Sequence, residues 1–415
     1  MATKHIYIHF PYCLYKCHYC DFNSYAYEKK DIPQTNYLQA LLTEIRLRRQ
    51  IFAATGISFF ADGDAIETVF FGGGTPSLMN PKDVELILAE LRKSFVFAPD
   101  IEITLESNPG TVTKQALADF KAAGINRVSI GLQSFHDEDL KRFGRIHTGM
   151  EGKRAIEAAL ESGITRVSGD LIFGFPDQTL RQWENNLDTI LSFGLKHVSA
   201  YALTAEEGTQ FTSEIRRGLL KETDAELFAA MQEATYDRFE AAELSAYEIS
   251  NFAVPGEESR HNLGYWRYQA YVGLGAGAFS TYFYADEKGE KQFAARESNH
   301  KVPEHYMRKV AEGADFFTTE SLDKTTTIKE ALMMGLRLSE GLDVTAFGNR
   351  FECSLEELIP QSLKRHLELG VLHQKEKRLF VTRKGFLLNN QLLADLFYEM
   401  DASNLRCLPS AAQGL

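Results

Sequence analysis

The feature that most constrains this chain is one unit, a strand followed by a helix, repeated six times between Ile6 and Ala242. Short runs rich in β-branched and aromatic residues, Ile6–His9, Thr68–Phe71, Ile101–Leu105, Arg127–Gly131, Val167–Phe173 and His197–Leu203, read as strands. Between and after them lie segments of helical periodicity, Pro33–Phe52, Pro81–Ser94, Lys114–Ala123, Glu151–Ser162, Leu180–Ser192 and Asp224–Ala242. Parallel neighbours need crossovers, and crossovers are right-handed, so the succession builds a mostly parallel sheet with helices outside it. The expected fold class is therefore α/β, a partial (β/α)6 barrel of the TIM type, with a doubly wound open sheet as the second possibility. Unusual residues favour the barrel. A cysteine loop, Gly72-Gly73-Gly74, Glu106, Gln133 and Asp170 all fall at or near strand C-termini, the edge where barrels build their sites.

Past Ala242 the rhythm changes. Tyr247–Ile249 and Val272–Ser280 read as further strands, with His261-Asn262-Leu263-Gly264-Tyr265-Trp266 between them, and the polar stretch 286–301 reads as a loop. This divides the chain into a barrel unit over 1–285 and a smaller, mostly helical unit over 286–415. Helices are expected at Ile328–Leu338, Leu355–Ile359, Ser362–Leu369 and Phe386–Phe397, with a hairpin of Val371–His373 and Arg378–Thr382, a winged-helix-like set.

A formal charge of -12 over 415 residues argues against broad nucleic-acid binding, which depends on Lys and Arg neutralising phosphates. Lys375, Lys377, Arg378, Arg383 and Lys384 could serve RNA in an appended module, but such a run is usually a solvated face. No apolar run approaches the roughly 20 residues that span a bilayer. The opening MATKHIYIHF lacks the long apolar region of a signal peptide, so a cytoplasmic location is expected.

Three of the five cysteines, Cys13, Cys17 and Cys20, fall within eight positions. A disulfide framework fits poorly, because three is odd and Cys353 and Cys407 are remote. Structural zinc would need His9 or His18 as a fourth ligand and lacks a second knuckle. Three thiolates could instead hold three irons of a four-iron cluster and leave one open. The Gly72–Gly74 run lets backbone approach a ligand, but it has no P-loop lysine. Glu106 and Asp170 could accept from a ribose diol and Arg145 could pair with a carboxylate; an internal ion-pair network would use the same residues.

Taken together and in order, HFPYCLYKCHYCDF, FGGGTPS, ITLESNPG, SIGLQSF, GRIH and DLIFGFP resemble the oxygen-independent coproporphyrinogen III oxidase family of the radical S-adenosylmethionine (SAM) superfamily, including its HemW-type heme-chaperone branch. That resemblance implies a [4Fe-4S] cluster on Cys13, Cys17 and Cys20, with SAM on the open iron. It implies a SAM pocket lined by Tyr7, Tyr19, Gly73, Gly74, Thr75, Glu106, Gln133, Arg145, Asp170 and Ala202, with Phe279 transferred on a looser alignment. HNLGYW resembles the heme-binding motif of the chaperone branch, which makes His261 the expected ligand of heme iron, with Tyr265 and Trp266 against the porphyrin. The oxidases carry a cysteine where this chain has Phe22, and a longer segment before the first strand. Both departures point to delivery of heme to apo-proteins, including membrane-bound respiratory enzymes; the alternative is decarboxylation of coproporphyrinogen III.

Overall fold

A computed structural model describes residues 4–55, 65–285 and 292–402. The six expected strands are all present as β1 (His5–Phe10), β2 (Ile66–Gly73), β3 (Phe97–Ser107), β4 (Arg127–Gln133), β5 (Arg166–Phe173) and β6 (His197–Ala202). They pair in chain order and in parallel. Six more strands extend the same sheet: β7 (Ser245–Ala246), β8 (Asn251–Ala253), β9 (Tyr271–Leu274), β10 (Phe279–Ala285), β11 (Gln292–Asn299) and β12 (Phe317–Leu322). The order is β12-β11-β10-β9-β1-β2-β3-β4-β5-β6-β8-β7, and its two end strands do not pair with each other, which leaves the barrel partial.

Four expectations need correction. The run Val272–Ser280 is two strands, because Gly275 and Gly277 take positive φ angles of 98° and 77° and turn the chain between β9 and β10. β9 then joins β1 as a seventh parallel strand, with Tyr271 opposite His5. Stretch 286–301, expected as a loop, contains β11, which pairs with β10 and β12. Its polarity is misleading, since Glu297 and Asn299 are buried in an ion-pair network rather than solvated. The expected divide after residue 285 thus falls between two paired strands. Around Tyr247–Ile249, the strands are the flanking β7 and β8.

A second apolar core gathers Leu322, Ile328, Leu332, Leu363, Leu379, Leu396 and Met400. Helices Val344–Phe351 and Pro360–Glu368 stand beside a three-stranded sheet in which Arg378–Val381 lies between Leu342–Asp343 and Leu372–Lys375, the winged-helix-like arrangement expected. Within the basic run, Lys377 pairs with Asp343 and Arg383 with Asp237. Cys353 is buried here, and Cys407 lies outside the described residues.

Parallel strands covered on both faces usually read as continuous apolar runs. Here they alternate. Ile6, Ile8, Val69, Phe71, Ile103, Leu105, Val128 and Ile130 are buried and belong to the main apolar core. The intervening positions carry His5, Tyr7, Thr68, Phe70, Glu102, Thr104, Glu106, Arg127, Ser129, Ser168 and Asp170, brought side by side by the register. One face of the sheet is consequently polar and lies inside the molecule. At its lower edge several of these groups are paired: Glu102 accepts from the backbone N–H groups of Arg260 and His261, and Ser168 meets His197 at 2.6 Å.

A buried cluster joins the long first helix, Gln34–Thr55, to the added strands. Glu44 and Arg48, 0% and 1% exposed, pair with each other, and Arg48 also pairs with Glu297. Glu44 accepts from Asn299 Nδ2 at 2.7 Å, from the backbone of Gly275 at 2.8 Å and from Tyr306. Removing one member of such a cluster strands buried charge, so Arg48→Met should lower unfolding free energy by about 3–5 kcal/mol in urea titration. Breaking the exposed Lys114–Glu161 pair with Lys114→Ala should leave the urea midpoint where it was.

Candidate metal centre and the cavities beside it

The cysteine loop leaves β1 and is held at several points. Tyr27 N donates to Cys13 O and Tyr25 N to Pro11 O, forming a short parallel bridge; His18 N donates to Phe143 O, and Phe211 N to His18 O. Asn23 closes the loop by donating from Nδ2 to Ala276 O at 3.1 Å, while His9 Nε2 meets Asn23 O at 2.8 Å. Thus fixed, Cys13, Cys17 and Cys20 face one cavity of about 410 Å³. Tyr19, Gly73, Gly74, Thr75, Glu106, Gln133, Arg145, Asp170 and Ala202 line the same cavity, nine of the eleven residues expected around SAM, and Tyr7 and Phe279 do not.

Those two line a second cavity of about 530 Å³, which shares Lys16, Asp21, Phe22, Ser24, Gly73 and Glu106 with the first. Its walls are aromatic, with Tyr25, Tyr265 and Tyr271 besides Tyr7 and Phe279. His261 lines neither. Contrary to expectation it is 1% exposed, with Nδ1 2.6 Å from Thr68 Oγ1 and Nε2 2.9 Å from Tyr265 Oη. Both ring nitrogens are engaged, so in this arrangement His261 has no free nitrogen for iron. Burial holds its imidazole well below the ordinary histidine range.

Local strain and close approach mark the first cavity. Gly73 has φ 111°, and a Cβ there would lie 2.6 Å from the His9 ring; one on Gly74 would lie 2.7 Å from Tyr12 O and 3.0 Å from Cys13 Sγ. Gln133 takes φ 66°, a left-handed conformation uncommon for a side chain larger than glycine, at a register shift in β4. Its Oε1 is buried and accepts no hydrogen bond from the described residues. Arg145 donates to Cys17 Sγ at 3.4 Å, to Gly131 O at 2.6 Å and to Asn108 Oδ1. Asn108 in turn donates to Thr75 Oγ1 at 2.9 Å, and Thr75 donates to Cys13 Sγ at 3.4 Å. A chain of donors therefore ends on two of the three sulfurs.

Burial pushes the Cys13 and Cys20 thiols up, with Thr75 pulling Cys13 the other way. Glu106 is pushed up to about 8, first by burial and then by the charge of Asp170, against a Gly73 N–H that draws it down. Asp170 is raised by burial and lowered by Ser199 and Ser129, whose Oγ sits 2.9 Å from both carboxylate oxygens. Three clustered thiols, an orphaned amide oxygen, a glycine edge and two carboxylates fit a cluster together with a ligand that brings amine and hydroxyl donors. Reasoning from sequence passed over Asn108, Ser129 and Tyr201. Asn108 stood inside ITLESNPG, and Ser129 and Tyr201 share the polar alternation of their strands, so a register argument could have found them.

Two outcomes follow from this geometry. Gly74→Ala should lose most of its iron and sulfide after anaerobic reconstitution while keeping the native circular dichroism spectrum. Glu106 binds its proton more tightly folded than unfolded, so its contribution to stability is present below an unfolded value of about 4.3 and is lost as pH rises through about 8. Metal-free Glu106→Gln should therefore melt several degrees above the parent at pH 9, with the gap closing toward about pH 5; a gap that widens on acidification would contradict the assignment.

Comparison with known proteins agrees with this geometry. The Radical SAM superfamily profile matches residues 7–190, and that of the HemN C-terminal domain matches residues 322–388. Heme chaperone HemW of Bacillus subtilis (strain 168) is 34% identical over 399 residues, covering 96% of this chain and 100% of that protein. HemW of Escherichia coli (strain K12) is 34% identical over 390 residues, 94% of this chain and 96% of its own length. Coproporphyrinogen III oxidase HemN from Escherichia coli superposes with a TM-score of 0.75 over 97% of this chain and 91% of that one, at 22% identity, which establishes a common fold. The chain belongs to the radical SAM superfamily and, within it, to the HemW and HemN-like family.

Proposed function

We propose that this protein is a heme chaperone that binds heme beside a [4Fe-4S] cluster and SAM and delivers it to apo-proteins in the cytoplasm, respiratory enzymes among them. The observation that carries the reading is likeness along nearly the whole chain, 31–34% identity, to relatives named heme chaperone. Two features of the structure support it. Phe22 is 62% exposed and lines both cavities, putting an apolar ring, not a thiol, at their junction. The second cavity has aromatic walls suited to a flat ligand.

Cys13, Cys17 and Cys20 would hold three irons, leaving the fourth for the amino and carboxylate groups of SAM. When bound, such a centre supplies one-electron chemistry at the sulfonium. The chain's own groups have clear tasks around it. Arg145, beside Cys17, offsets the negative charge of the thiolates and keeps the Asn108–Thr75–Cys13 chain aligned. Glu106, Asp170 and the Gln133 oxygen offer acceptors to hydroxyl and amino donors. No helix among the described residues is long and apolar enough to cross a membrane, so acceptors in a membrane would be met from outside it.

The test is heme transfer. Protein loaded with hemin should restore activity to a heme-depleted respiratory enzyme, and anaerobic incubation of the reconstituted protein with SAM and coproporphyrinogen III should yield no protoporphyrinogen. Decarboxylation without transfer would reverse the reading in favour of the oxidase.

A further inference from the structure

The HNLGYW segment is a short helix, Arg260–Trp266, plugged against the lower edge of the polar sheet face. Its His261 and Tyr265 are one turn apart and so share a side of the helix. A line of hydrogen bonds runs through them: Gln269 Oε1 lies 2.8 Å from His5 Nε2, His5 Nδ1 2.9 Å from Thr68 Oγ1, Thr68 Oγ1 2.6 Å from His261 Nδ1, and His261 Nε2 2.9 Å from Tyr265 Oη. Gly264 makes the line possible, since a Cβ there would lie 2.5 Å from the His5 ring.

The polarity of this line is set from its far end. A carbonyl oxygen can only accept, so His5 donates from Nε2 and its Nδ1 must accept from the Thr68 hydroxyl. Having given its proton to His5, Thr68 Oγ1 accepts from His261 Nδ1, which leaves His261 Nε2 as an acceptor. Tyr265 must then donate to Nε2. Its proton is directed away from the aromatic cavity it lines, and the lone pairs of Oη remain for whatever binds there.

We propose that Tyr265, and not His261, is the side chain this motif offers to the iron of a bound tetrapyrrole, with His261 as the positioning residue behind it. The proposal rests on the heme-chaperone reading and names the ligand within it. Tyrosine is an established axial ligand of heme iron. Coordination is a dative bond from an Oη lone pair to ferric iron. The phenolic proton passes along the hydrogen bond to His261 Nε2, leaving phenolate on the iron, and no electron changes hands, so neither oxidant nor reductant is needed. Tyr7, on the same cavity, has a similar partner: His9 Nε2 donates to the Asn23 carbonyl, and its Nδ1 accepts from Tyr7 Oη at 3.0 Å. It is the internal control.

The experiment titrates hemin into the full chain and records affinity, electron paramagnetic resonance and resonance Raman spectra. The parent should show high-spin ferric heme with an iron–phenolate vibration. Tyr265→Phe should lose that vibration, and Tyr265→His should replace it with a nitrogen-ligated spectrum, a gain of signal that misfolding cannot produce. His261→Gln should keep the vibration at a shifted frequency and weaken hemin binding roughly 10- to 100-fold, as loss of a ligand's supporting partner does. A vibration or spectrum unchanged by Tyr265→Phe and abolished by His261→Gln or Tyr7→Phe would overturn the ligand assignment alone. Failure of the parent to bind hemin at all would overturn the chaperone reading with it.

Discussion

Everything in this molecule turns on a parallel sheet that buries a polar face. Carboxylates, hydroxyls, imidazoles and an arginine project from β1 to β6 into a volume from which bulk water is largely excluded, and each must find a partner or cost stability. The lower edge meets much of that demand through Glu102 under the helix Arg260–Trp266 and through the Ser168–His197–Tyr247 contacts, while Arg127 Nη2 and Arg260 Nε find no hydrogen-bond partner among the described residues. At the upper edge the demand is met only in part. Gln133 Oε1 accepts nothing, Glu106 is held largely protonated near neutrality, and two thiols are pushed up by burial. The upper edge differs in that its unmet groups, Gln133 and Glu106 among them, line a cavity.

The two cavities divide this upper edge by chemistry. One is rimmed by sulfur, carboxylate and guanidinium, the other by aromatic rings, and Gly73, Glu106 and Phe22 belong to both. A ligand in either that reaches Gly73, Glu106 or Phe22 would touch a group that lines the other. Occupation of the sulfur-lined cavity and of the aromatic cavity can be coupled through direct contact, without any movement of the sheet.

Much of this was legible in the sequence because it depended on local signals. Six strand and helix units, the clustered cysteines, the Gly72–Gly74 run and the strand-end carboxylates are each visible within a dozen residues, and the structure brings Glu106, Gln133, Arg145 and Asp170 to one cavity. What was not legible depended on partners distant in the chain. β11 looks like a loop because the groups that bury its Glu297 and Asn299 lie some 250 positions earlier, in Arg48 and Glu44. His261 looks like a ligand until Thr68 and Tyr265 are seen to occupy its nitrogens. The break within Val272–Ser280 is a consequence of two glycines taking positive φ, a freedom that sequence permits without requiring.

The clasp between Asn23 and the turn after β9 has a consequence for biosynthesis. Asn23 ends the cysteine loop, yet the carbonyls of Ala276 and Lys301 that receive its Nδ2 are made more than 250 residues later. Until then the loop lacks its closing contact, and the Glu44 cluster that supports the turn is equally incomplete. The three thiols are made well before the contacts that fix the end of their loop. Iron delivered before residue 301 has been made would therefore meet a loop that still lacks its closing contact.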